Sequence, residues 1–293
     1  MKFAYLILAH GSFELLKELL KALDSPDNDI YVHIDKKAGH VDFSPFMEII
    51  KQSKLCFIQN RVDVKWGQIS LVEATLNLFA EAIKGDYDYL HLLSGVDFPI
   101  KSHSYIQQFF QEHYGKEFVG FSKGPTYEDV RSRAIYWLSP HEKSNGNRVN
   151  GVTVFMNKLY FFIRRKIHLH IMSPLDQIKL GSEWCSITKQ LAIDLVNQRK
   201  RILKRFIFMF AADEAFIQTY LYENNYMDRV YNFDDEFESC CRYIDWNRGK
   251  PYVWQDDNFE ELVNSKYLWA RKFSENNMNL IKKIANHIED KVR

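Results

Sequence analysis

Cysteine is sparse. Only Cys56, Cys185, Cys240 and Cys241 occur in 293 residues, and no CxxC pair is among them. Cys240 and Cys241 are neighbours, which rarely bridge each other, so a secreted disulfide scaffold does not fit and a reducing cytoplasm does. No run approaches the roughly 18 apolar residues of a bilayer-spanning helix. The N-terminal apolar run, Phe3–Ala9, is shorter than a signal-peptide core. Neither sign of charge is in excess: 39 Lys and Arg face 38 Asp and Glu, a formal net charge of +1. That balance removes any global basis for nucleic-acid binding. Twelve Gly and seven Pro are too few for a low-complexity or disordered chain. No GxGxxG follows the first apolar run and no GxxxxGK[ST] occurs, so dinucleotide and P-loop signatures are missing.

What is present is a regular alternation of apolar runs and helical spacings. Phe3–Ala9 reads as a strand closed by His10-Gly11, and Phe13–Leu23 repeats leucine at helical spacing. Ile30–Ile34 is a second strand ending at Asp35. Phe46–Lys51 reads as a helix, Lys54–Ile58 as a strand and Ile69–Ile83 as an amphipathic helix. Tyr89–Leu93 is a fourth strand running into Ser94-Gly95-Val96-Asp97-Phe98-Pro99. A further strand and helix follow Gly181-Ser182-Glu183-Trp184, and Asp257–Asn264 and Glu275–Lys291 close the chain as helices. Strand–helix alternation predicts an α/β fold with an open, mostly parallel sheet covered by helices on both faces. Such sheets bind ligands beyond the carboxyl ends of their strands. His10, Asp35, Arg61 and the Ser94–Pro99 turn are therefore the first candidates. Asp86-Tyr87-Asp88 has the form of a metal-binding DxD, but it precedes the fourth strand, at the wrong end of the sheet, and reads as a solvated turn. Val152–Met172 mixes aromatics with Arg164, Arg165, Lys166, His168 and His170. It reads either as a basic amphipathic helix on an anionic membrane or acidic acceptor, or as a core helix with a charged face.

Several strings, in order, resemble the core-2/I-branching glycosyltransferase family, which includes β-1,6-N-acetylglucosaminyltransferases and peptide O-xylosyltransferases. They are Ala4–His10, Ile34-Asp35-Lys36-Lys37, Trp66-Gly67-Gln68-Ile69-Ser70-Leu71-Val72 and Leu93–Lys101. Gly181-Ser182-Glu183-Trp184, Asp213-Glu214, Arg242-Tyr243-Ile244-Asp245-Trp246 and Leu268-Trp269-Ala270-Arg271-Lys272-Phe273 complete the set. Each is weak alone; together they extend over most of the chain.

The resemblance implies a GT-A type, Rossmann-like fold forming a single domain over residues 1–293, with a nucleotide-binding half to residue 115 and an acceptor and catalytic half from 116. It implies inverting transfer of a sugar, N-acetylglucosamine or xylose, from a UDP-sugar to a glycan hydroxyl, with no divalent metal and no other cofactor. Such a transfer needs a base for the acceptor proton and cations for the departing diphosphate. Glu214, flanked by Phe208-Met209-Phe210 and Ala215-Phe216, matches the family's base; read from the residues alone it is an acid at a helix start. Arg242 and Lys272 match the positions that neutralise the diphosphate, against an alternative of ion pairing with Asp245 or Glu260. His10, Asp35, Arg61 and Asp97 are the nucleotide candidates. Asp97 serves equally to tie its turn to backbone amides. Trp184 offers a sugar ring an apolar face or packs in the core, Glu183 offers hydrogen bonds to sugar hydroxyls, and Arg131 and Arg133 are candidates for an acidic acceptor.

Relatives with an anchor, a stem and disulfides contrast with this chain, so the expectation is a bacterial, cytoplasmic protein, peripheral at the inner membrane face. Its expected acceptor is a surface polysaccharide under assembly on a lipid carrier. A glycoside hydrolase, with its paired carboxylates, and a non-catalytic glycan- or nucleotide-binding protein on the same fold are the alternatives. Tight UDP binding separates the first from a transferase.

Overall fold

The computed structural model describes residues 1–124, 130, 177–207, 209–249 and 251–290. Val152–Met172, Arg131 and Arg133 lie outside the described residues.

Four apolar runs form parallel strands: β1 (Phe3–Ala9), β2 (Asn28–Ile34), β3 (Lys54–Phe57) and β4 (Tyr89–Ser94). With the antiparallel β6 (Ser186–Thr188) they give a five-stranded sheet of order β3-β2-β1-β4-β6. β5 (Phe98–Pro99), β7 (Arg242–Ile244) and β8 (Trp269–Arg271) make a second sheet of order β5-β8-β7. The mixed α/β architecture with a mostly parallel sheet is the one the alternation predicts.

Both faces of the five-stranded sheet are covered, and the pleat shows it. Along β1, Phe3, Tyr5, Ile7 and Ala9 enter one hydrophobic cluster while Ala4, Leu6 and Leu8 enter the other. On the first face lies α1 (Phe13–Leu23), whose Leu15, Leu16, Leu19, Leu20 and Leu23 form one buried stripe. Trimming one of them, Leu19→Ala for example, would cost about 2–5 kcal/mol. The short α2 (Ser44–Met47) is on this face too, smaller than the helix expected at 46–51. So are α4 (His103–Glu112), α9 (Phe259–Asn264) and the last described helix, α10 (Met278–Asp290). The opposite face carries α3 (Ile69–Ala82), α5 (Lys189–Asn197), α6 (Arg199–Phe206) and α7 (Phe216–Glu223). The short α8 (Glu236–Cys240) leads into β7. No helix among the described residues is long and apolar enough to cross a membrane. All four cysteines are free thiols.

The connection from β1 through α1 goes to β2 on one side, while β3 through α3 crosses to β4 on the other. The sheet therefore reverses direction between β1 and β4. A crevice opens beyond the carboxyl ends at such a switch point.

Candidate functional site

A cleft of about 790 Å³ occupies that position. Its floor comes from strand ends: Ala9 and the exposed His10 after β1, His33 and Asp35 at the end of β2, and Ser94 closing β4. Asp35 is buried and caps the turn after β2, its carboxylate accepting from the Lys37 amide at 2.8 Å. The Lys37 ammonium is 3.7 Å from the same carboxylate. Arg61 does not line the cleft. Its guanidinium donates to the carbonyls of Ile34, Gly39 and Asp35 at 2.7–2.9 Å, which braces the loop that carries Asp35. Its expected contact with the nucleotide thus becomes a positioning role. His33 Nε2 accepts from the Val62 amide at 2.9 Å, and burial lowers its pKa, so the ring is neutral with its proton on Nδ1.

The opposite wall carries the carboxylates. Glu214 ends a 3-10 turn, Ala212–Glu214, that starts from Ala211 in the left-handed region at φ 50°. Two backbone hydrogen bonds hold this turn: Ala211 N–H donates to the Gly67 carbonyl and Gly181 N–H donates to the Glu214 carbonyl, both at 2.9 Å. Each depends on a glycine. Gly67 has φ +71°, and a Cβ there would stand 2.4 Å from the Phe210 ring. A Cβ on Gly181 would stand 1.9 Å from the Gly120 carbonyl oxygen. Glu214 is half-buried on the cleft wall, less enclosed than its aromatic flanks suggest. The enclosed acid is Glu183. It keeps some surface on the cleft, but its Oε1 is buried with no hydrogen-bond partner among the described residues. Burial, reinforced by the neighbouring Asp213 charge, pushes its carboxyl well above the usual range, with Arg271 opposing.

The cation on this wall is Arg271, the last residue of β8. Its Nη1 donates to Asp97 Oδ1 at 2.8 Å, and its guanidinium lies over the Trp184 ring at 4.4 Å. The fork's other donors make no hydrogen bond among the described residues. Asp97 is fully buried and does not face the cleft. Its second oxygen accepts from the Ser94 amide at 2.8 Å, so of its two expected roles the structure realises the one that ties the turn, and adds the anchoring of Arg271. Burial raises the Asp97 carboxyl and the Arg271 charge pulls it back. Trp184 is buried yet lines the cleft, with one ring face taken by Arg271.

Arg242 corrects the sequence reading. It is fully buried and absent from the cleft wall. Its Nη1 donates to Ser186 Oγ at 2.9 Å and to the Cys240 carbonyl. Nη2 donates to the carbonyls of Leu92 and Cys185 at 3.1 and 2.7 Å. The guanidinium also stacks over Trp269 at 4.4 Å. Four of its five N–H donors are spent on joining the two sheets, and the fifth, at Nε, is buried without a partner among the described residues, so the guanidinium presents no donor to the cleft. Lys272 follows Arg271, half-buried, outside the cleft lining and with no ion pair among the described residues.

Two further aromatic residues stand on the rim, beyond the candidates the sequence patterns give. Trp66 is 77% exposed and meets Phe210 edge-on at 5.2 Å; Trp246 is 54% exposed. An indole left in water beside a cleft offers a sugar ring an apolar platform. The signal for Trp66 was the glycine after it, which holds the turn bearing Glu214.

Asp86-Tyr87-Asp88 lies before β4, at the amino-terminal end of the sheet's parallel strands, away from the cleft. Asp88 accepts from the Lys2 amide at 2.8 Å and Asp86 from the Lys189 ammonium at 3.1 Å. Among the described residues no group of three or more His, Cys, Asp or Glu side chains is arranged to hold a metal ion.

A family model described as Core-2/I-Branching enzyme matches residues 3–265. A xylosyltransferase of Ciona intestinalis is 20% identical over 315 residues, covering 100% of this chain and 34% of that protein. The human β-1,3-galactosyl-O-glycosyl-glycoprotein β-1,6-N-acetylglucosaminyltransferase is 27% identical over 198 residues, covering 63% of this chain and 45% of that protein. The crystal structure of mouse xyloside xylosyltransferase 1 in its apo form superposes with a TM-score of 0.39 at 8% identity, covering 92% of this chain and 97% of that one. The chain spans less than half the length of the two sequence relatives. The matched span takes in every strand of the five-stranded sheet and each cleft residue named here except Arg271, and the chain belongs to the Core-2/I-Branching enzyme family.

Proposed function

We propose that this chain is a glycosyltransferase that moves a sugar from a UDP-sugar to a glycan hydroxyl, inverting the anomeric centre without a divalent metal. One observation carries the reading. A carboxylate on a braced turn, Glu214, shares a strand-end cleft with a pinned arginine, Arg271, and the switch-point residues His10 and Asp35. The family's named relatives make N-acetylglucosamine and xylose the first donors to test.

In this reading the nucleotide rests over His10 and Asp35. Arg271 meets the diphosphate with the donors that Asp97 does not use, and Lys272 adds charge after it. As the glycosidic bond to the diphosphate breaks, Glu214 takes the acceptor hydroxyl's proton while its oxygen attacks the anomeric carbon from the opposite face. Glu183, whose carboxyl burial pushes well above the usual range, offers a hydrogen bond to a sugar oxygen. Trp184, Trp66 and Trp246 frame the sugars. A saccharide built on a lipid carrier, as in bacterial surface polysaccharide synthesis, is the acceptor class we favour.

The test is transfer from a panel of UDP-sugars in EDTA, with the product's anomeric configuration read by NMR. Transfer with inversion supports the proposal. Retention of configuration, or an absolute need for Mn²⁺, contradicts it. Release of sugar from glycans without any UDP binding favours a hydrolase.

A further inference from the structure

The helix α6, Arg199–Phe206, has five cations in eight residues and no acid, in a chain of net charge +1. Its inner face is accounted for: Ile202 and Phe206 are buried. Arg199 pairs with Glu73 at 3.6 Å, and Arg205 pairs with Glu223. The outer face is different. Lys200, Arg201 and Lys204 are exposed and make no ion pair among the described residues, and Ile207 follows them at 39% exposure. Positions 200, 204 and 207 fall at helical spacing on one stripe, with 201 beside it. Phe210 follows Ile207 by three positions, at most about 11 Å of chain. Phe210 packs on Trp66 at the rim of the cleft.

We propose that this face of α6 docks the protein on an anionic lipid surface, with Ile207 entering the interface and the mouth of the cleft turned along it. The charge pattern alone selects an anion. The exposed isoleucine beside it favours a lipid interface over a soluble polyanion, because an apolar side chain gains from the acyl boundary and nothing from a hydrated saccharide. The docking stands on this pattern and not on the transfer reading, so vesicle binding and sugar transfer succeed or fail separately.

The experiment is co-sedimentation of the full chain with vesicles rich in phosphatidylglycerol and with pure phosphatidylcholine vesicles, at low and high salt. The expected result is binding to the anionic vesicles alone, weakened by salt. Lys200→Gln/Arg201→Gln/Lys204→Gln should then lower the partition coefficient about a hundredfold, near fivefold per cation. Ile207→Ser should lower it with no change in the charge. The substituted side chains are exposed, so unchanged melting temperatures are expected and serve as the folding control. Absence of vesicle binding, binding untouched by the triple variant, or capture by a soluble polyanion without vesicle binding would each overturn the proposal.

Discussion

Arg242 gives the sharpest contrast between a residue's type and its place. The structure makes it a tie between sheets, reaching from β7 to the Leu92 carbonyl of β4 and to Cys185 and Ser186 at β6. Arg242→Ala strands two backbone carbonyls, those of Leu92 and Cys240, in the protein interior, and takes one of two donors from the Cys185 carbonyl, which keeps the Leu92 amide at 2.9 Å. A buried polar group without a partner costs about 1–3 kcal/mol, and the emptied space beside Trp269 adds to it. Partial relaxation brings the sum to about 4 kcal/mol, a fall of roughly 10 °C in melting temperature. Arg242→Lys keeps the charge but loses the fork that meets acceptors on two sheets, so it should also be destabilised. Thermal unfolding measures the stability, and UDP titration of the folded fraction, at a temperature where each variant stays folded, measures the site. Both variants should bind UDP as the wild type does. An Arg242→Ala protein that keeps its melting temperature and binds UDP at least tenfold more weakly would return Arg242 to the diphosphate.

Glu214→Gln should reduce transfer by about 10²–10⁴-fold, the span of a general base, while UDP affinity and melting temperature stay unchanged. Gly181→Ala should melt lower and lose activity together, since the Cβ meets the Gly120 carbonyl and the shift breaks the bond from Gly181 to the Glu214 carbonyl. Glu183 predicts a pH dependence. Its folded pKa lies above the ordinary 4.5, so above that pH the unfolded chain releases a proton that the folded chain keeps, and stability falls as pH rises. Glu117, buried and pushed up to about 7, adds a fall of the same sign that ends near pH 7. Glu183→Gln should flatten the decline seen by thermal unfolding at a series of pH values; a steeper decline in the variant would reverse the assignment.

The strands of the cleft floor were legible because each apolar run ends on a polar punctuation, His10, Asp35 or Ser94, and the strand-end rule turns those ends into a site. Glu183, Trp184 and Glu214 were legible through strings that the resemblance picked out, and all three line the cleft. Arg242, Arg61 and Asp97 were misdirected for one physical reason. A sequence gives the charge of a side chain but not the direction in which the backbone aims it. Arg61 and Arg242 turn their donors to backbone carbonyls, and Asp97 turns inward to Ser94 and Arg271. Arg271 is one letter of a motif in the sequence, yet its place depends on Asp97 and Trp184, 174 and 87 positions away, contacts that no local pattern reveals.

In the proposed mechanism the strand-end cleft holds a nucleoside diphosphate on Arg271. Calorimetric titration of UDP and uridine in EDTA, with the wild type and with Arg271→Gln, is the decisive test. UDP should bind without metal. The variant should lose about 10–100-fold in affinity for UDP, the worth of charge-assisted hydrogen bonds, with no loss for uridine. UDP affinity that is absent, that appears only with Mn²⁺, or that is indifferent to Arg271→Gln would contradict it.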